Sequence, residues 1–204
     1  MFKMVDYWPF DLVDRGGTRT FHYTCADHPG LFVRSVFRDD PGTRSLRLDA
    51  STEQGHRSTW FLRDLPGFGV AEWRNDYPRT GWRKRLFGEK RLVFSEPIGW
   101  GDRLGVGDEF RSAPRVDALR SRVSLPLRGR HWLRIEGHYD AFQTAGGAWY
   151  DVVQLLCRQT FGRKTDGVRY WLAKGLGPVA LQWVSPHPET GEPMQSGRFD
   201  AVIS

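Results

Sequence analysis

Turn signals punctuate the chain at roughly the 8–12-residue spacing of an all-β sheet or barrel, and no segment carries a long helical period. Between the turns hydrophobicity alternates residue by residue. In Thr18 to Cys25, the residues Arg19, Phe21, Tyr23 and Cys25 fall on one face and Thr18, Thr20, His22 and Thr24 on the other. His28-Pro29-Gly30 turns the chain into an apolar run from Leu31 to Phe37, and Asp39-Asp40-Pro41-Gly42 turns it again. Leu46 and Leu48 then alternate with Ser45, Arg47 and Asp49. This is an antiparallel meander, and a sheet must supply the core. The expected fold is mainly β: one domain over residues 1–204, built as a curved antiparallel sheet or half-open barrel.

Two stretches echo one another. Trp60 to Trp73 and Tyr170 to Trp183 each carry a leading Trp, a Gly/Pro turn near a Leu, a small apolar return strand and a closing Trp. Both read as hairpins, with glycines supplying positive φ at the turn. Between them, residues 74–130 are rich in arginine around Pro114 and Pro126, and read as a basic insert of loops with a short helix over Val116 to Val123. Near the start, Pro9 disfavours a helix and Gly16-Gly17 marks a turn.

Composition narrows the function. Aromatic residues make up 14% of the chain and include 9 Trp, enough for large contact surfaces as well as a core. The net charge is +6, and the basic residues are nearly all Arg, the side chain of bidentate pairing and stacking. No run approaches the 18 apolar residues of a membrane-spanning helix. Met1 to Asp6 lacks a basic stretch followed by an apolar run, so no export signal is expected and the expected location is the cytoplasm or a virion. Cys25 and Cys157 fit either a disulfide or two buried thiols.

Catalytic signatures are missing. There is no His-Glu-x-x-His, no Cys pair at ligand spacing and no Gly-x-Ser-x-Gly elbow. The strand from His131 to Phe142 should place Leu133, Ile135 and Tyr139 on the core face and Glu136, His138 and Asp140 together on the other. The odd separation of His131 and His138 should put them on opposite faces. Gly99, Gly101, Gly105 and Gly107 read as turns, since Pro114 follows too closely for a phosphate-binding helix. No metal, cofactor or enzymatic activity is expected.

The layout resembles a group of uncharacterised bacterial β-domains found in exported lipoproteins, which are similar to lipoprotein-carrier half-barrels. Tyr7, Pro9, Gly17, Phe21 and Tyr23 match their opening segment. Gly105, Gly107, Asp108 and Phe110 match a middle element. Tyr170, Trp171, Ala173, Gly175 and Gly177 match a closing hairpin. The resemblance implies a curved sheet around an apolar concavity and no catalytic residues. No export signal or lipidation cysteine is expected here, which departs from that group, and Pro178 stands where the family has a strand residue, which suggests an edge strand or a bulge.

The function expected from these features is that of a non-enzymatic structural or adaptor subunit of a larger assembly, with a phage particle as one concrete setting. Its partners would be other protein subunits, met through Trp82, Arg83, Arg85, Phe87 and Trp100. The alternative is a carrier of an apolar ligand in the concavity. Nucleic-acid binding through Trp82, Arg83, Lys84, Arg85, Phe87 and Lys90 is a weaker third reading, since no recognised binding motif accompanies them.

Overall fold

A computed structural model describes residues 1–40, 45–52, 57–63, 69–77, 90–94, 98–99, 103–113, 115–120, 123–161, 164–186, 193–195 and 197–203. A 3₁₀ turn at Met4–Tyr7 and a short helix α1 (Asp11–Arg15) come first. The strands follow: β1 (Thr18–Cys25), β2 (His28–Asp40), β3 (Ser45–Thr52), β4 (Arg57–Arg63), β5 (Gly69–Tyr77), β6 (Lys90–Phe94), β7 (Ile98–Gly99), β8 (Glu109–Ser112) and β9 (Arg115–Arg120). Then come β10 (Val123–Thr144), β11 (Gly147–Phe161), β12 (Lys164–Ala173), β13 (Gly177–Pro186), β14 (Pro193–Gln195) and β15 (Phe199–Ile203).

Every pairing is antiparallel. The hydrogen-bonded path runs β11-β12-β13-β15-β1-β2-β3-β4-β5-β6-β9-β10-β8. β10 is long enough to hold β9 and β8 along its length and also to form a hairpin with β11. Among the described residues, the two flanks of the sheet therefore meet through β6 and β9. Alongside, β7 and β8 do not pair with each other among the described residues. The result is a curved, open sheet, as expected.

Helix formation departs from expectation at two places. Pro9 is flanked by the 3₁₀ turn and α1, a position just ahead of a helix where proline's missing N–H costs nothing. The described residues of the expected short helix over Val116 to Val123 are strand instead, because β9 pairs with β6 on one side and β10 on the other. Two ladders satisfy that backbone, whereas one or two helical turns alone are marginal in water.

The inner face holds one continuous apolar core. Phe21 and Tyr23 of β1, Phe37 of β2, Leu46 of β3, Leu62 of β4, Leu133 and Ile135 of β10, and Phe199 of β15 are buried in it. Side chains of this size contribute about 1.5–3 kcal/mol each on burial. Met4, Tyr7, Trp8 and Leu12 are buried in the same cluster. Trp8 meets Phe37 edge-on at 6.2 Å, and Phe37 meets Phe21 edge-on at 5.8 Å. The concave face is thus occupied by the chain's own first residues. A smaller cluster lies on the outer side, where Val152, Trp171, Ala173, Val179 and Ala180 pack beneath Phe142 and Trp149.

Candidate functional site: a rim cluster and an outer basic groove

β10 carries a bulge. Register steps from Ile135 opposite Leu155 to Gly137 opposite Gln154, so one extra residue enters the strand. Every side chain beyond it changes face. His138 pairs with Val153, an inner residue, and Tyr139 pairs with Val152 of the outer cluster. The expected trio is therefore split: Glu136 lies outside and His138 faces inward. Tyr139 leaves the core face, and His131 and His138 share one face. Gly137 was the only sequence signal; a Cβ there would lie 2.9 Å from the Tyr139 hydroxyl.

The inward His138 joins a polar cluster at the rim. Tyr7 donates a 2.6 Å hydrogen bond to Asp151 Oδ1, and His138 Nε2 lies 2.8 Å from the same oxygen. Lys174 Nζ is 3.0 Å from Asp151 Oδ2. Asp151 itself sits at φ 51°, the one described non-glycine residue at positive φ. Such strain persists where the surroundings over-determine it, and it collects at functional or clamping positions. Around the cluster, Lys174 N–H bonds Asp151 O, Gly175 N–H bonds Asp6 O at 2.7 Å, and Arg19 donates to Gly175 O at 2.7 Å. Partial burial would raise the Asp151 pKa, but hydrogen bonds from Tyr7, His138 and Lys174 outweigh it and hold the carboxyl at about 2. Burial and the Asp151 charge push the Tyr7 phenol well above its ordinary value. A carboxylate this acidic is a weak base and the phenol stays protonated, and the cluster ties the N-terminal segment to the closing hairpin.

The rest of the motif set converges on the same segment. Phe2 and Leu104 exchange two 2.9 Å backbone bonds, and Phe2 lies 5.7 Å from the His138 ring. Gly107 N–H bonds Ile135 O at 2.9 Å, and Ile135 N–H bonds Asp108 O at 3.0 Å, beside the bulge. The opening, middle and closing elements that looked separate in sequence are one joint.

Glu136, outside, accepts Arg169 Nε at 2.6 Å and Gln154 Nε2 at 2.8 Å. Burial acts to raise its pKa, and the Arg169 and Gln154 hydrogen bonds more than reverse it. In the interior, His131 Nδ1 lies 3.8 Å from Cys157 Sγ, a partnership that sequence faces did not suggest. Burial drops the His131 pKa to about 4 and pushes the Cys157 thiol up to about 12. Both are neutral near pH 7, so this pair is a packed contact and holds no thiolate nucleophile. Both cysteines are free and buried.

On the outer face, a groove of about 550 Å³ crosses the β8, β10, β11 and β12 ladders. Arg111, Arg130, Trp132, Arg158, Thr160 and Thr165 line it. The register places Trp132 between Arg111 and Arg158, and Thr160 between Arg130 and Thr165. The Arg158 guanidinium lies over the Trp132 ring at 5.3 Å. Arg111 bonds Glu109 at 3.1 Å, and Trp132 Nε1 donates to the same carboxylate at 3.4 Å.

The expected partner residues Trp82, Arg83, Arg85, Phe87 and Trp100 lie outside the described residues, as do Lys84 and the turn of the first hairpin. Among the described residues, no three or more His, Cys, Asp and Glu side chains gather as a metal site, and no helix is long and apolar enough to cross a membrane. No family model matches the chain, and comparison with curated proteins and with solved structures found no match.

Proposed function

We propose that the chain is a non-enzymatic adaptor, a subunit that presents an arginine- and tryptophan-bearing outer face to partner proteins in a larger assembly. One observation carries this reading: the concave face is filled by Met4, Tyr7, Trp8 and Leu12, so binding capacity lies on the outside. The polar groups nearest to a catalytic arrangement, Tyr7, His138, Asp151 and Lys174, are spent on one another. Outside, Arg130 and Arg158 have no carboxylate partner among the described residues. Arginine and tryptophan are the side chains that dominate contact energies when a partner covers them. A phage particle remains one concrete setting.

The alternative, a carrier of an apolar ligand, requires the N-terminal segment to leave the concavity. Two measurements separate the readings. The native particle containing this chain should have a mass well above the 23.5 kDa of one copy, and a monomer would refute the adaptor reading. An apolar fluorescent probe should not bind the folded chain stoichiometrically; stoichiometric binding would favour the carrier.

A further inference from the structure

We infer that the outer groove is a binding site for a phosphate monoester. The inference deepens the outer-face reading above by naming the chemistry that one part of that face takes. The argument is one of unspent charge and geometry. Arg111, Arg130 and Arg158 reach the groove from three adjacent strands, β8, β10 and β11. Neighbouring strands lie about 4.8 Å apart, so the Arg130 and Arg158 guanidinium groups, on adjacent strands, can both reach one anion a few ångströms across.

Glu109 is the one described carboxylate hydrogen-bonded to a groove side chain, and Arg111 and Trp132 hold it. Arg130 is exposed, with no hydrogen bond or ion pair among the described residues, and Arg158 rests on the indole. Two guanidinium groups without a counter-charge call for a dianion, and a phosphate monoester carries close to two charges at neutral pH. A guanidinium fork meets phosphate oxygens bidentately. Thr160 and Thr165 hydroxyls lie 3.1 Å apart, and of the two hydroxyl hydrogens only one is used between them. The other is free to donate to a third oxygen. Trp132 serves as the platform that fixes Arg158, with one ring face already covered, which disfavours a stacked base there.

The test is a titration of the full chain at low ionic strength with inorganic phosphate, O-phosphoserine and, separately, acetate and a short thymidine oligonucleotide, followed by calorimetry and tryptophan fluorescence. One saturable site is expected for phosphate and for phosphoserine, with acetate at least tenfold weaker. Affinity should rise several-fold between pH 5 and pH 7.5 as the monoester gains its second charge near pH 6. Arg130→Ala, which removes no hydrogen bond or ion pair among the described residues, and Arg158→Ala should each weaken binding at least tenfold. Arg38→Ala, whose guanidinium pairs with Asp49, should leave it unchanged.

Binding of both supports the monoester site, whereas phosphate binding without phosphoserine binding would overturn the monoester and leave the free ion as the ligand. Equal affinity for acetate, no saturation, or full affinity in Arg130→Ala would overturn the site. So would an oligonucleotide that binds more tightly than phosphoserine with a steep salt dependence, since that marks a diester-backbone surface. The titration uses the isolated chain, so its failure leaves the adaptor reading to the particle mass, and a monomeric mass leaves the groove standing.

Discussion

Asp151 combines a positive φ with three partners on one carboxylate, and its charge can be tested apart from its backbone. Asn tolerates the left-handed region about as well as Asp, so Asp151→Asn keeps the turn and removes the charge. The folded-state pKa of about 2 lies below the ordinary carboxylate value, so the group's contribution to stability is complete above about pH 4. It is lost as pH falls from there through about 2. Acid unfolding of the native chain should therefore be steeper over that window than that of Asp151→Asn, and the variant should be less stable at pH 7. Parallel acid curves for the two proteins would show that the carboxylate carries no net stabilisation. In sequence, Asp151 is legible only as one acidic residue inside an otherwise largely apolar stretch. Its partners Tyr7 and Lys174 lie 144 positions upstream and in a turn 23 positions downstream, and no local pattern connects residues across such gaps.

At the scale of elements, the sequence pattern of the closing hairpin agrees with its structure, whereas alternation along β10 misses one inserted residue. Gly177 follows the turn at φ 98°, and a Cβ there would lie 3.3 Å from Phe37 Cζ and 3.4 Å from Pro9 Cδ. Gly177→Ala should cost about 1–3 kcal/mol, from backbone strain added to crowding, and calorimetry should show the lower Tm. An unchanged Tm would mean that the N-terminal segment gives way freely. The two echoing hairpins share a further feature, a register shift just after the leading aromatic pair, at Phe61/Leu62 and at Trp171/Leu172. Their leading tryptophans differ: Trp60 is in the inner core and Trp171 in the outer cluster.

Alternation alone cannot see a bulge, because one inserted residue reverses the parity of everything after it. That is why Glu136 and His138 were grouped and are in fact on opposite faces. Glu136 and Arg169 are both mostly buried by the outer ladder, with side-chain exposures of 21% and 16%. A double-mutant cycle with Glu136→Gln and Arg169→Ala should give a coupling energy of about 1–2 kcal/mol. Additive losses would place the stabilisation in the surrounding glutamines instead.

For the whole molecule, the mainly β class and the open curvature were legible because turns, alternation and aromatic strands agree. The filling of the concavity was not, since nothing in Met4, Tyr7, Trp8 and Leu12 says which surface they cover. Removing residues 2–12 deletes four buried apolar side chains, worth up to about 6–12 kcal/mol by area, which rivals the whole stability of a typical domain. The truncated chain should lose its cooperative thermal transition and bind an apolar dye. A cooperative transition near the native Tm would mean that the segment is a cover and not part of the core.

The joint between the first residues and the closing hairpin also sets an order of assembly. Arg19 bonds Gly175 across 156 positions, Tyr23 bonds Pro178 across 155, and β1 pairs with β15. A ribosome delivers the two partners of each contact far apart in time. The β1–β4 meander can form early, since its pairings are local, but its aromatic face then waits uncovered on one side. During synthesis the chain therefore passes through a stage with Phe21, Tyr23 and Phe37 in place and their C-terminal neighbours, such as Pro178 and β15, not yet made. Chaperone dependence and yield should respond most to conditions that lengthen that stage, such as slow translation of the β11–β13 segment.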